Sequence, residues 1–137
     1  MRALALLALL LLVSTVSAVN DKQEDKANRV FELRIYYAAP GKMDDLNARF
    51  RDHTCKLFEK HGMTLIGFWT ETNPKDKVEK LIYVLGYPSK EAADKSWKAF
   101  RDDPVWNKAR EASEKNGKLV DKVESYYMKP TDYSAIK

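Results

Sequence analysis

Two runs near the middle of the chain, "MTLIGFWTET" (Met63 to Thr72) and "VEKLIYVLGY" (Val78 to Tyr87), are too apolar for strands that keep one face in water. In the first, Met63, Leu65 and Trp69 alternate with Ile66 and Phe68. In the second, Leu81, Tyr83, Leu85 and Tyr87 alternate with Ile82 and Val84. Both sets are apolar in each run, whereas an antiparallel sheet with a solvated face shows polar residues at every second position. The intervening "NPKDK" carries Asn73-Pro74, a turn signal, so the two runs form a hairpin. A sheet built on this hairpin needs apolar cover on both faces. Helices of the same chain can supply one cover, and a second copy of the sheet is the economical candidate for the other.

The rest of the chain supplies the helices and two more strands. "RVFELRIYYAAP" alternates Phe31, Leu33, Ile35 and Tyr37 against Glu32, Arg34 and Tyr36, the period of a strand, and Pro40-Gly41 stops it. In "KMDDLNARFRDHTCKLFEKH" a stripe of Met43, Leu46, Phe50, Thr54, Leu57 and His61 recurs at helical spacing. Asp44 and Asp45 fall in its first turn, where acids suit the helix dipole, and Gly62 follows at the C-terminal cap. Ser89 is placed to cap a second helix in which Ala93, Trp97 and Phe100 share a face. Asp103-Pro104 restarts a short helix that ends by Gly117, and "KLVDKVESYYM" is a last strand. The order is that of an α+β, ferredoxin-like βαββαβ fold: an antiparallel sheet with its helices on one face.

The N-terminal "MRALALLALLLLVSTVSA" has one Arg, an unbroken apolar run and small residues at 16–18, the pattern of a secretory signal cleaved after Ala18. Its apolar core from Ala3 to Val13 is shorter than the roughly 20 residues that span a bilayer. The expectation is therefore a signal peptide over 1–18, a flexible polar leader over 19–29 and one folded domain over 30–137, exported to the periplasm or extracellular medium with no stable membrane anchor after cleavage. The chain's net charge of +4 falls to +3 without the signal's Arg2, and its Lys residues are interleaved with acids. That distribution lacks the clustered basic face of a nucleic-acid binder. The lone Cys55 excludes a disulfide within the chain, though it could join two chains.

"FELRIYYAAPGKMDDL", "FEKHGMTLIGFW", "YPSKEAADKSWKAFRDDPVW" and "ESYYMKPTDYS" together resemble the NIPSNAP domain, specifically its bacterial exported representatives, over nearly all of Val30 to Ser134. The resemblance implies a dimeric α+β barrel in which two ferredoxin-like sheets face one another around a cavity. Eukaryotic members of that family are associated with mitochondria and protein interactions, and bacterial members largely lack an assigned reaction. The wider superfamily includes cofactor-independent monooxygenases, haem-degrading enzymes and muconolactone isomerases, among which fold alone does not select. Many family members carry a His in the third strand at the place of Tyr83 here, so any role of that His does not carry over.

Glu32, Arg34 and Tyr36 share one face of the first strand. If Phe31, Leu33 and Ile35 pack on the helices, this polar set points into the inter-sheet cavity, where a charged pair and a phenol could orient an anionic or aromatic ligand. The competing reading is a structural ion pair at the dimer interface. Trp69 and Tyr83 complete the candidate ligand-binding set, while Trp97, Phe100 and Trp106 read as core or cap residues. His53 is a weak candidate base, because it must reach the cavity past the helical side of the sheet. Along one helix His53 and His61 stand roughly 12 Å apart, too far to hold one metal between them, and His61 is explained by its place in the last helical turn. Cys55 falls nearly opposite the apolar stripe and is expected to be exposed and unactivated. No glycine-rich phosphate loop, HExxH, CxxC or Gly-x-Ser-x-Gly motif occurs, so no cofactor or metal is expected. The leading expectation is an exported homodimer that binds a small molecule between its sheets. The alternatives are a cofactor-independent oxygenase or isomerase, and a ligand-free interaction module.

Overall fold

The structure, a computed structural model, describes residues 29–137; the expected signal peptide and most of the leader lie outside the described residues. Strand β1 (Val30–Ala38) leads into a helical rod made of α1 (Met43–Arg49), a π turn (Phe50–Thr54) and α2 (Cys55–Lys60). The hairpin β2 (Thr64–Thr70) and β3 (Lys80–Tyr87) follows, then α3 (Lys90–Asp102), α4 (Pro104–Ser113) and β4 (Val120–Met128). The four strands form one antiparallel sheet in the order β2-β3-β1-β4, with the helices on one face, as the order of sequence signals implies. No helix among the described residues is long and apolar enough to cross a membrane.

Local chemistry explains the element ends. The Ser89 hydroxyl accepts from Ala92 N–H at 3.1 Å, and the Asp103 carboxylate accepts from Val105 N–H at 2.8 Å with Pro104 behind it. Asp103 Oδ2 also takes Lys60 Nζ and His61 Nε2, both at 2.7 Å, so one buried carboxylate ties the end of α2 to the start of α4. His61 thus has a partner beyond the helix dipole. The bonds from Lys60 and His61 hold the Asp103 carboxyl far below the usual carboxylate range.

The π turn is a departure from the uniform helix expected of this stretch, and the core residues show why it forms. Leu46, Phe50, Thr54 and Phe58 are all buried, at successive steps of four. In an α-helix such steps drift around the axis, since a full turn takes 3.6 residues. One wider turn brings Phe50, Thr54 and Phe58 back over the sheet. Cys55 N–H bonds to Phe50 C=O across this turn, and Thr54 Oγ1 donates to Arg49 C=O at 3.2 Å. The same winding leaves Cys55 half-buried against the core rather than exposed as expected, and burial pushes its thiol pKa up, with the Glu59 carboxylate adding to the effect.

The face assignment of the sheet is the reverse of the sequence expectation. Register pairs Glu32 with Leu85, Arg34 with Tyr83 and Tyr36 with Leu81, and these side chains all lie under the helices. Phe31, Leu33 and Ile35 belong to the opposite face, together with Ile82 and Val84. The reason is the size of the β3 set. Leu81, Tyr83, Leu85 and Tyr87 fill the space against Phe50, Phe58 and Trp97, and the register then carries Glu32, Arg34 and Tyr36 to the same side. A bulge between Leu65 and Gly67 also breaks the simple alternation of β2. Leu65 and Phe68 pack on the helical side, whereas Trp69, opposite Ile82, lies on the open face.

Candidate functional site

At the β4 edge the helical layer does not close over the sheet. β4 carries Val123, Ser125 and Tyr127 on the helical side, and it is exposed along most of its length. A cavity of about 410 Å³ is left there. Its floor is Glu32, Arg34 and Tyr36 of β1 with Ser125 and Tyr127 of β4; its walls are Asp94, Trp97, Phe100 and Arg101 of α3 with Trp106 and Arg110 of α4. The volume is near the lower end of the range of about 300–1,000 Å³ usual for ligand pockets.

The Glu32 carboxylate is the fixed point of this cavity. It is 1% exposed. Oε1 accepts from Arg34 Nη1 and Ser125 Oγ, each at 2.7 Å, and Oε2 accepts from Trp97 Nε1 at 2.6 Å and Tyr87 Oη at 2.8 Å. Donors from all three neighbouring elements, β3, β4 and α3, therefore converge on one residue of β1. Burial alone would raise its pKa, but the bonds from Ser125, Trp97, Arg34 and Tyr87 outweigh that and hold it below the ordinary value. Ionised and saturated with donors, Glu32 acts as an anchor and not as a proton carrier.

Arg34 is held by that anchor and by aromatic surfaces. Its guanidinium carbon lies 4.3 Å from the Trp97 ring centroid and 5.5 Å from that of Tyr36. Burial opposes its charge, but Tyr83, Tyr36 and Glu32 more than compensate and raise its pKa. Two buried polar atoms of cross-strand neighbours, the donor Arg34 Nε and the Tyr83 hydroxyl, have no partner among the described residues. Arg34 lines the cavity, whereas Tyr83 is wholly buried behind it. The phenols of Tyr83, Tyr87 and Tyr127 all have raised pKa values, burial being the largest cause in each case. None of these three is set to exchange a proton near neutral pH.

The structure thus brings Glu32, Arg34, Tyr36 and Tyr83 together and separates Trp69 and His53 from them. Trp69 stands on the open face, 53% exposed, its ring lying across Gly67 so closely that a Cβ there would come within 2.4 Å of it. Near it a cavity of about 370 Å³ lies between Phe31, Ile66 and Val84 of the sheet and Pro130 and Ile136 of the C-terminal segment. His53 is exposed in a groove between the rod and α4, with Asp45, Arg49 and Asp52, and does not line the Glu32 cavity. Among the described residues no group of His, Cys, Asp and Glu could hold a metal ion.

The sequence pattern reads Trp97 as core and Trp106 as a residue after the Asp-Pro cap, and it does not single out Arg101, Arg110, Ser125 or Tyr127. Trp97 is a core residue and also a cavity wall and a donor to Glu32. The available signal was the period of two in "ESYY", which puts Ser125 and Tyr127 on one face, but using it requires the β1–β4 register.

The NIPSNAP family model matches residues 31–135. No curated protein matches the chain. Among solved structures, a NIPSNAP-like domain protein from Burkholderia xenovorans superposes with a TM-score of 0.69 at 16% identity, over 79% of this chain and 90% of that one. A NIPSNAP family protein from Agrobacterium tumefaciens gives 0.69 at 22% identity, over 80% of this chain and 100% of that one. SnoaB, a cofactor-independent oxygenase from Streptomyces nogalater, gives 0.52 at 11% identity, over 80% and 98%. At these identities the superpositions show a shared fold.

Proposed function

This chain belongs to the NIPSNAP family, and on that premise we propose that it is an exported homodimer that binds a small molecule in the cavity between its sheet and helices α3 and α4. The observation that carries the binding reading is the Glu32–Arg34 pair: three further donors fix the buried carboxylate that holds a guanidinium at the floor of an open cavity. A pair with only a structural task needs no cavity beside it. This reading moves the site from between two sheets, where the sequence pattern suggested it, to within a single chain. The homodimer is supported by the apolar open face, on which Leu33, Ile35, Ile82 and Val84 stand together.

The binding reading is tested on ¹⁵N-labelled protein with fragment-sized aromatic acids, amides and amines. Saturable shifts of the Trp97 and Trp106 indole N–H signals, with Trp69 unmoved, are the expected result. If no probe moves the first two, or if all three respond alike, the cavity is not the site. Export is supported by the N-terminal apolar run and its small residues at 16–18. It predicts that mass spectrometry of the protein recovered from its native cell finds an N-terminus at Val19, and a chain that retains Met1 would refute it.

A further inference from the structure

Resting on that reading of the cavity, we infer that its ligand is a carboxylate, held by the arginines at the cavity rim. Three arginines, Arg34, Arg101 and Arg110, line the cavity against two carboxylates, Glu32 and Asp94. Glu32 is occupied by Arg34, and Asp94 by Lys90 at 2.5 Å. Arg101 and Arg110 make no ion pair among the described residues, although both face a wall shared with an aromatic ring. Surface arginines are common, but two without partners at the rim of one concave site, above a third whose position is fixed, form a directional positive field.

The neutral alternatives fit this lining less well. The orphaned donor Arg34 Nε leaves the inner end of the site short of an acceptor. A ligand that brings further donors would worsen that imbalance, whereas a carboxylate brings acceptors only. With Glu32 paired to Arg34 and Asp94 to Lys90, Arg101 and Arg110 are left without counter-charge among the described residues, so the rim favours an anion. The planar fork of arginine matches the planar carboxylate in two parallel hydrogen bonds, a geometry unavailable to an amide.

Three probes of the same shape separate these cases: benzoate, benzamide and phenyl phosphate, titrated into the intact protein and followed by the Trp97 and Trp106 indole N–H signals. The expected order has benzoate bound about tenfold more tightly than benzamide, the difference that one charge-assisted contact makes, and more tightly than phenyl phosphate. The Arg101→Gln/Arg110→Gln double variant alters exposed side chains outside the core, and it should weaken benzoate about tenfold while leaving benzamide unchanged. Equal binding of benzoate and benzamide would overturn the carboxylate inference and leave the cavity as a binding site. Tighter binding of phenyl phosphate would also overturn the carboxylate inference. If none of the three moves the indole signals, both the inference and the site beneath it fail.

Discussion

Glu32→Gln is expected to destabilise the protein by about 3–5 kcal/mol, the scale for removing one partner of a buried ion pair, which lowers the thermal midpoint by roughly 10 °C or more in a domain of this size. The substitution changes almost no volume, so the loss is electrostatic. Gln offers one acceptor oxygen where the carboxylate offers two, and its NH₂ group would face donors already aimed at that position. Of the four donors at 2.6–2.8 Å, those meeting the amide nitrogen would be opposed by another donor. Arg34 would then be left as a partly buried cation without its counter-charge. Thermal unfolding followed by circular dichroism measures the effect; a midpoint within about 2 °C of wild type would show that the four bonds contribute little.

The same group sets an acid dependence whose sign follows from its lowered pKa. A carboxyl with a lower pKa in the folded state contributes stability that is fully present above its unfolded value of about 4.3. That contribution is lost as pH falls from there through the folded value. Wild-type stability should therefore decline more steeply below about pH 4 than that of Glu32→Gln, which lacks this titration.

Local features of the fold were legible in the sequence because each depends on a few neighbouring residues. The Ser89 and Asp103 caps, the proline at 104 and the glycine at 62, with φ of +79°, each satisfy a requirement of a single helix end. The strand order followed from the sequence of elements. What alternation could not decide was which set of β1 residues faces the helices, because a period of two gives two faces without naming them. Hydrophobicity pointed to Phe31, Leu33 and Ile35, and the fold chose Glu32, Arg34 and Tyr36. The choice is made across strands: Tyr83 and Tyr87 need the deeper side, and Glu32 is acceptable there only because Trp97, 65 residues away, supplies a donor. A buried carboxylate with its partners on three other elements leaves no local trace, so the cavity was not legible either. Glu32 and Arg34 stand out by their charge, but alternation leaves open which strand face lines a cavity.

That reversal leaves the second apolar face more exposed to argument than before. Its apolar part is Leu33 and Ile35 of β1, Ile82 and Val84 of β3, Trp69 of β2 and Tyr126 and Met128 of β4, the last three being 53%, 51% and 37% exposed; Glu124 and Lys122 border it at one end, and the C-terminal segment lies beside its Phe31 end. Contiguous apolar surface of this kind on a sheet marks an interaction site. A second copy of the chain presents the same face, and two such sheets can pack at about 10 Å with their side chains interleaved. Leu33 sits at the centre, between Val84 on one neighbouring strand and Tyr126 on the other. Leu33→Asp should therefore turn a dimer into a monomer, since an unpaired carboxylate buried in an apolar contact costs at least about 3 kcal/mol per interface, more than a hundredfold in the dissociation constant. The helical side does not contain Leu33, so the far-ultraviolet circular dichroism of the variant should match wild type, separating loss of the interface from loss of the fold. Sedimentation velocity at micromolar concentration gives the comparison. A dimeric Leu33→Asp protein would place the interface elsewhere, and a monomeric wild type would mean that this face is covered by something other than a second copy.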